Sequence, residues 1–269
     1  MHAFHARFFL QKWRTYIIIP KGGMQMKAPK MIMFDYGNTL LSEPDIDFVR
    51  AQREVFKYIR KNKYNMTPEE VNEFMQIKRG EKGAVRTIGF EIHEYQFFRF
   101  VYEYLGIEFD LPMEEFEIIY WDAVSPGGVM PGADKMLEYI KTKGIRSAVI
   151  SNIGWSGKLL SDRINRLLPD NEFEFIMASS EYVFGKPNRN IFDLALRKAD
   201  LDASEVWYCG DNVKVDIDGA AGAGIQPIWY ENTEIINPWR MDKSIILPEC
   251  EHIHINQWDE FIELLENCD

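Results

Sequence analysis

Four short segments of this 269-residue chain carry side chains that could do chemistry together. They are Asp35 at the end of an apolar run, Ser151 and Asn152 at the end of another, Lys186 between Gly185 and Pro187, and Asp211 after Gly210 with Asp216 five residues later. One carboxylate could be a nucleophile, a hydroxyl and an ammonium could bind an anion, and further carboxylates could hold a metal ion. These are the parts needed for magnesium-assisted phosphoryl transfer through an aspartyl-phosphate.

The pattern of apolar residues predicts how these segments are brought together. After a first strand at 31–35, helices at 134–143, 156–168, 190–199 and 213–223 alternate with strands at 145–151, 173–178, 205–210 and 225–230. Such alternation predicts an α/β fold with a Rossmann-like, doubly wound parallel sheet. The carboxyl ends of its strands meet at one crevice, where ligands bind.

A long stretch between the first and second predicted strands has helical periodicity instead. Helices are predicted at 47–64, 68–79, 91–105 and 112–124. We therefore expect an α/β core over 30–42 and 126–269, and an inserted all-α cap, a helical bundle, over 43–125.

The first 29 residues differ from the rest, because residues 1–30 contain no Asp or Glu. Lys21-Gly22-Gly23, followed by Met24 and Met26, is what a bacterial ribosome-binding site would encode if it were translated in frame. One hypothesis is a bacterial chain that starts at Met24 or Met26. The alternatives are a disordered arm or a basic targeting segment.

Composition limits the partners. The 42 acidic and 31 basic residues give a net charge of −11, which argues against nucleic-acid binding. The longest aliphatic run before residue 30, at 17–19, is too short to span a membrane. Three cysteines without metal-ligand spacing indicate reduced thiols. The reduced thiols indicate a cytoplasmic protein. Together with the four segments above, we expect a monomer or homodimer that acts on a small phosphorylated metabolite and uses Mg²⁺.

The four segments, in this order and spacing, resemble the motifs of the haloacid dehalogenase superfamily, in the subgroup with a helical C1 cap (subfamily IA-like). The resemblance covers roughly residues 30–265. It implies Asp35 as nucleophile, Ser151 and Lys186 as catalytic phosphoryl binders, and Asp211 and Asp216 in the metal site. It also implies that the Gly37 carbonyl is a metal ligand and that Thr39 supports the loop that follows Asp35. Residues expected at the phosphate are Tyr36, Gly37 and Asn152. Asp216 could instead pair with Lys186.

Gly37 departs from the pattern of this family. Its phosphatases usually carry a second aspartate there, which protonates the leaving alcohol and then activates the water that breaks the acyl-phosphate. Such acid–base catalysis contributes about 10²–10⁴-fold. Three consequences are open. The substrate could have a good leaving group, such as an acyl or aryl phosphate; Glu43, Asp45 or a cap residue could replace the acid; or the protein could be a slow hydrolase that chiefly binds.

Two branches of the family that lack this aspartate give the alternative function. The 2-haloacid dehalogenases attack carbon without a metal, and the intact Asp211 and Asp216 argue against them. The phosphonatases use a cap lysine as a Schiff base. The cap lysines are expected on solvated helix faces, which argues against that chemistry; they are Lys57, Lys61, Lys63, Lys78 and Lys82.

Overall fold

A computed structural model describes residues 26–232 and 246–268 of the chain. The strands are β1 Met31–Phe34, β2 Leu41–Ser42, β3 Ile59–Asn62, β4 Ile107–Phe109, β5 Gly128–Val129, β6 Arg146–Ser151, β7 Phe173–Ala178, β8 Val206–Gly210, β9 Gln226–Tyr230 and β10 Ile253–Ile255. The α-helices are α1 Phe48–Phe56, α2 Pro68–Arg86, α3 Glu94–Leu105, α4 Met113–Val124, α5 Ala133–Thr142, α6 Gly157–Leu167, α7 Arg189–Ala199, α8 Asp218–Gly222 and α9 Trp258–Glu266.

Six strands form one parallel sheet in the order β10-β9-β8-β1-β6-β7. The first strand is central, and its Phe34 is in register with Val149 of β6 and Cys209 of β8. The carboxyl ends of β1, β6 and β8 are therefore adjacent. This placement brings the predicted chemical segments to the same edge.

Helices cover both faces of the sheet. Ile32 and Phe34 belong to the apolar cluster that includes α5, α6 and α9, whereas Met31 and Met33 belong to the cluster with α7 and α8. Because side chains alternate along a strand, one short buried run supplies both clusters. The prediction of a Rossmann-like, doubly wound parallel sheet is confirmed.

The insert is helical except for one antiparallel ladder. The helix predicted over 47–64 ends at Phe56, and β3 then pairs with β4. Gly106, which ends α3 at φ +62°, turns the chain into β4. The prediction of an all-α cap is wrong at this ladder, where Lys61 bonds Glu108 and the apolar pattern is weak.

Two other helices differ from their predicted bounds. Helix α2 begins with a capping box between Thr67 and Glu70 and extends past residue 79 to Arg86. The helix predicted over 213–223 is divided into a π-helical turn, Val213–Ile217, and α8. Both differences matter for the candidate active site, because the end of α2 and the π-helical turn both place charged side chains near it.

Arg163 of α6 joins the two linkers between the sheet and the insert. Its side chain is 1% exposed and donates hydrogen bonds to Glu43 (2.8 Å), Asp122 (3.0 Å) and the Ser125 carbonyl (2.6 Å). Glu43 lies in the outgoing linker, and Ser125 in the returning one. One buried guanidinium thus helps to hold the insert to the core.

A second contact, which we call the clasp, joins residues 89–91 of the insert to residues 183–185 of the core. The Gly185 N–H donates to the Gly89 carbonyl (3.0 Å), and the Glu91 N–H donates to the Val183 carbonyl (2.8 Å). The rings of Phe90 and Phe184 lie 5.6 Å apart. The clasp therefore ends at the residue directly before Lys186.

The start-site hypothesis concerns residues 1–25, which lie outside the described residues. Of the rest of the predicted extension, Met26 packs against the apolar core and Pro29 is buried. Within 26–232 and 246–268, none of the helices has the length and apolar character needed to cross a bilayer.

Candidate active site

Asp35 continues directly from β1. Its backbone N–H donates to the Cys209 carbonyl (2.8 Å), so the ladder with β8 persists one residue past the strand. The chain then turns sharply, since the N–H groups of Leu40 and Leu41 both donate to the Tyr36 carbonyl (3.1 and 3.0 Å). This turn leaves the Asp35 carboxylate at the sheet edge with 8% exposure.

Lys186 lies at the centre of the site. Its ammonium donates to Asp35 Oδ1 (2.6 Å), Asp216 Oδ1 (2.6 Å) and the Tyr208 hydroxyl (2.7 Å), and the residue is 1% exposed. Burial alone would lower the pKa of Lys186, but Asp216 and Asp35 outweigh it and raise the pKa. The side chain is therefore a buried cation shared by two carboxylates.

Asn152 holds the main chain of Lys186. Its Oδ1 accepts from the Lys186 N–H (2.7 Å), and its Nδ2 donates to the Lys186 carbonyl (2.6 Å). A Cβ on Gly185 would lie 3.0 Å from Asn152 Oδ1, so glycine makes room for this pairing. Both polar ends of the Asn152 side chain thus bind the main chain of Lys186, and the predicted place of Asn152 at the phosphate stays a prediction.

Asp216 is positioned by the π-helical turn. A Cβ on Gly210 would lie 2.5 Å from Asp216 Cβ, so only glycine permits this approach. Asp216 Oδ1 accepts from Lys186, and its Oδ2 accepts from the Asn212 N–H (2.9 Å). Of the two alternatives for Asp216, the ion pair with Lys186 is present, and direct metal ligation stays a proposal.

The electrostatics of Asp35 reflect its crowded surroundings. Burial raises the pKa of this carboxyl, Lys186 lowers it, and Asp216 raises it again, with a net result of about 6. A cation beside the carboxylates would favour the ionised form of Asp35. The site thus has an electrostatic reason to bind a metal ion.

The carboxylates form a group of the right kind. One oxygen each from Asp35, Asp211 and Asp216 lies within 4.8 Å of the others, and this is the only such acidic group in the described part of the chain. Hard oxygen donors of this type are the ligands that Mg²⁺ takes in proteins. The residues therefore fit the ion that the sequence predicted.

The remaining predicted residues are also at this edge. Ser151 ends β6 and is buried, and Thr39 is buried in the turn after Asp35, where its hydroxyl has no hydrogen-bond partner among the described residues. The Tyr36 hydroxyl donates to Glu43 (2.5 Å) and accepts from Arg163 (3.1 Å). The Tyr36 side chain thus faces the linker, and only its backbone N–H is directed to Asp35.

Neither acid proposed near the turn is a convincing replacement for the one missing at Gly37. Glu43 accepts hydrogen bonds from Tyr36 and Arg163, whereas the Asp45 side chain is 72% exposed and pairs with Arg50. A Cβ on Gly37 would meet no heavy atom within 4 Å. The position of the usual acid is therefore open space.

A cleft of about 400 Å³ lies between the insert and the core, beside the turn after Asp35. Its core side includes Tyr36, Gly37, Asn38 and 152–155, and its insert side includes residues that the sequence did not single out, Arg79, Arg86 and Glu94. Tyr208 was missed as well. Within β8 it looked like an ordinary core aromatic, and no local signal distinguishes it.

Lys82 was expected on a solvated face, and that prediction is wrong. Its side chain is 8% exposed, and its ammonium lies 2.5 Å from Glu94 Oε1. Helix α2 places it one turn after Arg79, which also contacts Glu94. A charged helical position looks the same in sequence whether it faces water or a buried carboxylate.

Comparisons with known proteins agree with this geometry. The family model of haloacid dehalogenase-like hydrolases matches residues 29–224. A haloacid dehalogenase-like hydrolase domain-containing protein 3 from Homo sapiens is 30% identical over 46% of this chain and 50% of its own length. A glyceraldehyde 3-phosphate phosphatase from Pyrococcus abyssi (strain GE5 / Orsay) is 32% identical over 38% of this chain and 42% of its own. These matches span about half of the relatives' length or less.

Among solved structures, a HAD phosphatase from Thermococcus onnurineus superposes with a TM-score of 0.62 at 18% identity, covering 90% of this chain and 99% of that one. A 2-haloacid dehalogenase from Pseudomonas syringae gives 0.59 at 23%, covering 90% and 98%. At these identities the likeness concerns the fold alone. With the family match over most of its length, the chain belongs to the haloacid dehalogenase-like hydrolases.

Proposed function

We propose that this protein is a Mg²⁺-dependent phosphatase of small phosphorylated metabolites, acting through an aspartyl-phosphate on Asp35. The observation that carries the proposal is the buried Lys186 ammonium, 2.6 Å from both Asp35 and Asp216, beside the three-carboxylate group. Relatives named as phosphatases, including the one from Pyrococcus abyssi, support this chemistry over carbon-centred displacement.

In the first step, a carboxylate oxygen of Asp35 attacks phosphorus and the bond from phosphorus to the leaving oxygen breaks. Lys186 supplies positive charge at the nucleophile, and Ser151 with the N–H groups after Asp35 binds the phosphoryl oxygens. In the second step, water attacks the aspartyl-phosphate, the bond between phosphorus and Asp35 breaks, and inorganic phosphate leaves.

A Mg²⁺ ion held by Asp35, Asp211 and the Gly37 carbonyl, with Asp216 nearby, would offset the charge of the phosphoryl oxygens. Lys186 already restrains the repulsion between Asp35 and Asp216. Asn152 keeps the lysine in place through its main chain, so this side chain is a positioning residue.

The absence of a carboxyl group at Gly37 bears on the leaving group. Within the described cleft, Glu94 is the remaining acid on the insert side, and although burial alone would raise its pKa, Arg79 and Lys82 hold the pKa below its usual value. Glu94 is thus an anion and a poor proton donor. We propose that preferred substrates are acyl or aryl phosphates, whose leaving groups depart without protonation.

The test is a phosphatase panel of acetyl phosphate, 4-nitrophenyl phosphate and glycerol 3-phosphate, assayed with Mg²⁺ and with EDTA. Asp35→Asn should reduce turnover of all three by about 10⁴-fold or more. Asp193→Asn is the matched control, since Asp193 lies on the surface of α7 and pairs with Arg189. Activity that survives Asp35→Asn would exclude Asp35 as the nucleophile.

Carbon-centred chemistry is the alternative outcome of the same experiment. Release of halide from a 2-haloacid in EDTA, without phosphatase activity, would favour a dehalogenase. Tight Mg²⁺-dependent binding of phosphate esters without turnover would favour a binding protein. A cytoplasmic location and a monomeric or homodimeric state remain proposals, which fractionation and light scattering address.

A further inference from the structure

A second charged cluster lies in the insert, across the cleft from the turn after Asp35. We call Arg79, Lys82, Arg86 and Glu94 the cap cluster. Arg79, Lys82 and Arg86 follow one another at helical spacing on α2, and Glu94 begins α3. Arg79, Arg86 and Glu94 line the cleft. In a chain of net charge −11, this concentration of cations on one wall of a cavity is a local reversal of the overall charge.

The cluster is docked on the core at Gly154. The Glu94 N–H donates to the Gly154 carbonyl (2.7 Å). A Cβ on Gly154 would lie 2.9 Å from Glu94 Oε1 and 3.0 Å from Lys82 Nζ. Glycine therefore allows the charged groups to approach the main chain of the loop that follows Ser151 and Asn152. The cap cluster and the phosphoryl-binding edge face the same space.

Arg79 has hydrogen-bond donors without acceptors. Its Nη1 donates to Glu94 Oε1 (3.2 Å), and the guanidinium lies 5.1 Å from the Phe48 ring and 5.0 Å from the Phe97 ring. Nε and Nη2 are buried and meet no acceptor in good hydrogen-bond geometry among the described residues. The Tyr120 hydroxyl is their polar neighbour. Burial alone would lower the pKa of Arg79, but Glu94 and this hydroxyl outweigh it and raise the pKa. Buried guanidinium donors in proteins are normally satisfied.

The carboxylates present do not balance the cations. Glu94 contacts both Lys82 (2.5 Å) and Arg79 (3.2 Å) through Oε1, while its Oε2 is buried without a donor among the described residues. Arg86 bonds the buried Glu91 through Nε, and its side chain is 44% exposed at the cleft. Three cations thus face two carboxylates, and the planar fork of Arg79 matches a carboxylate or a phosphate.

Resting on the proposed phosphatase function, we propose that the cap cluster binds a second anionic group of the substrate, a carboxylate or a phosphate, carried on the leaving-group side. The transferring phosphoryl lies at Asp35 on the core edge, so the leaving group extends toward the insert. The substrate class is then a small phosphate monoester or acyl phosphate with a distal anion, which Arg79 and Arg86 recognise.

The experiment uses substrate pairs that differ only in the distal anion. Phenyl phosphate against 4-carboxyphenyl phosphate tests a carboxylate, and propane-1,3-diol monophosphate against its bisphosphate tests a phosphate. We expect kcat/KM of the wild-type protein to be about 10- to 100-fold higher for the anionic member of at least one pair, the range for a charge-assisted hydrogen bond. The pair that shows this preference identifies the distal anion as a carboxylate or a phosphate.

Two variants report on the cluster. Arg79→Lys keeps the charge beside Glu94 and removes the fork of the guanidinium. Arg86→Gln removes a half-exposed cation. At least one of these two variants should therefore fold. Both should reduce the preference for the anionic member, chiefly through KM. Lys78→Gln is the matched control, because Lys78 lies on α2 but pairs with Glu81 at the surface. It should leave the preference intact.

The outcomes separate the subsite from the catalytic function. Equal kcat/KM within both pairs, or a preference that neither variant changes, would overturn the cap-cluster proposal while the phosphatase proposal stands. If no substrate is turned over, calorimetric binding of each pair to Asp35→Asn decides the matter. Tighter binding of the anionic member, lost in the double variant with Arg79→Lys, supports the subsite, whereas equal binding overturns it.

Discussion

The core and the insert each contain a buried group of opposite charges, and the two groups differ in how completely they are paired. In the core, Lys186 donates all of its ammonium hydrogen bonds to Asp35, Asp216 and Tyr208. In the insert, Arg79 keeps two buried donor atoms without acceptors among the described residues. The cation of the core group is fully paired, whereas the insert group keeps unpaired donors on Arg79 and an unpaired acceptor, Glu94 Oε2, among the described residues.

This difference separates two tasks. Groups that carry out a common reaction must be held before the substrate arrives, and parallel strands that end at one edge hold them. Groups that recognise a particular substrate gain from donors whose acceptor is supplied by the ligand, because an incorrect ligand then leaves those donors unpaired. On the proposed function, the sheet would supply the reaction and the insert would recognise the substrate.

Replacing the cation of each group provides the largest test of this contrast. Lys186→Met leaves Asp35 and Asp216 buried together without their shared ammonium. We expect a loss of about 3–5 kcal/mol in the free energy of unfolding and about 10³-fold in turnover. Lys82→Met leaves Glu94 paired with Arg79, so its loss of stability should be about 1–2 kcal/mol. Urea unfolding measures both, and equal losses would contradict the contrast.

Restoring an acid to the core tests whether its reaction machinery lacks only that group. Gly37→Asp has space for its side chain, since an added Cβ meets nothing within 4 Å. We expect turnover of glycerol 3-phosphate to rise about 10²-fold, toward the usual value of a positioned acid, and to rise more than that of acetyl phosphate, whose leaving group needs no proton. Gly37→Asn is the isosteric control without a proton to give. A similar gain from both variants would rule out acid catalysis as the cause.

The raised pKa of Asp35 predicts a smaller effect, on stability in the metal-free protein. Its pKa is about 6 against an ordinary 3.8, so the folded state binds this proton more tightly than the unfolded chain. The contribution of this tighter proton binding to the free energy of unfolding is fully present below about pH 4, and it is lost as the pH rises through about 6. Asp35→Asn cannot ionise, and in EDTA it should be more stable than wild type by up to ~3 kcal/mol at pH 8.

The extra stability of Asp35→Asn over wild type should disappear near pH 4, where the wild-type carboxyl is protonated and therefore also uncharged. Thermal unfolding of both proteins across this pH range measures it, with Asp193→Asn as the exposed control. A variant less stable than wild type at pH 8 would show that the ion pair with Lys186 outweighs burial. The pKa of Asp35 in the folded protein would then not be raised.

Much of the core was predictable because each of its signals is local. Asp35, Ser151 and Asp211 each end a short apolar run, and the alternation of helix and strand places such ends together without any knowledge of distant contacts. Asp216 lies in the turn after β8, and Lys186 lies in the loop between β7 and α7. Only their mutual ion pair, between residues 30 positions apart, required the structure to choose it over direct metal ligation.

The insert was less predictable because its structure depends on pairings between distant residues. Lys61 and Glu108, 47 positions apart, meet across a ladder that neither segment signals on its own. Lys82 and Glu94 lie in helices whose mixed charges resemble a solvated surface. Tyr208 was hidden for a related reason, since a strand aromatic that contacts the catalytic lysine has the same periodicity as one that only fills the core.

The clasp ties the insert to the loop that carries Lys186. Two main-chain hydrogen bonds and a pair of phenylalanine rings join the insert to the three residues directly before Lys186. A movement that separated the insert from the core at these residues would also pull on the loop that carries the Lys186 ammonium. We therefore expect the position of this ammonium to depend on how the insert is seated on the core.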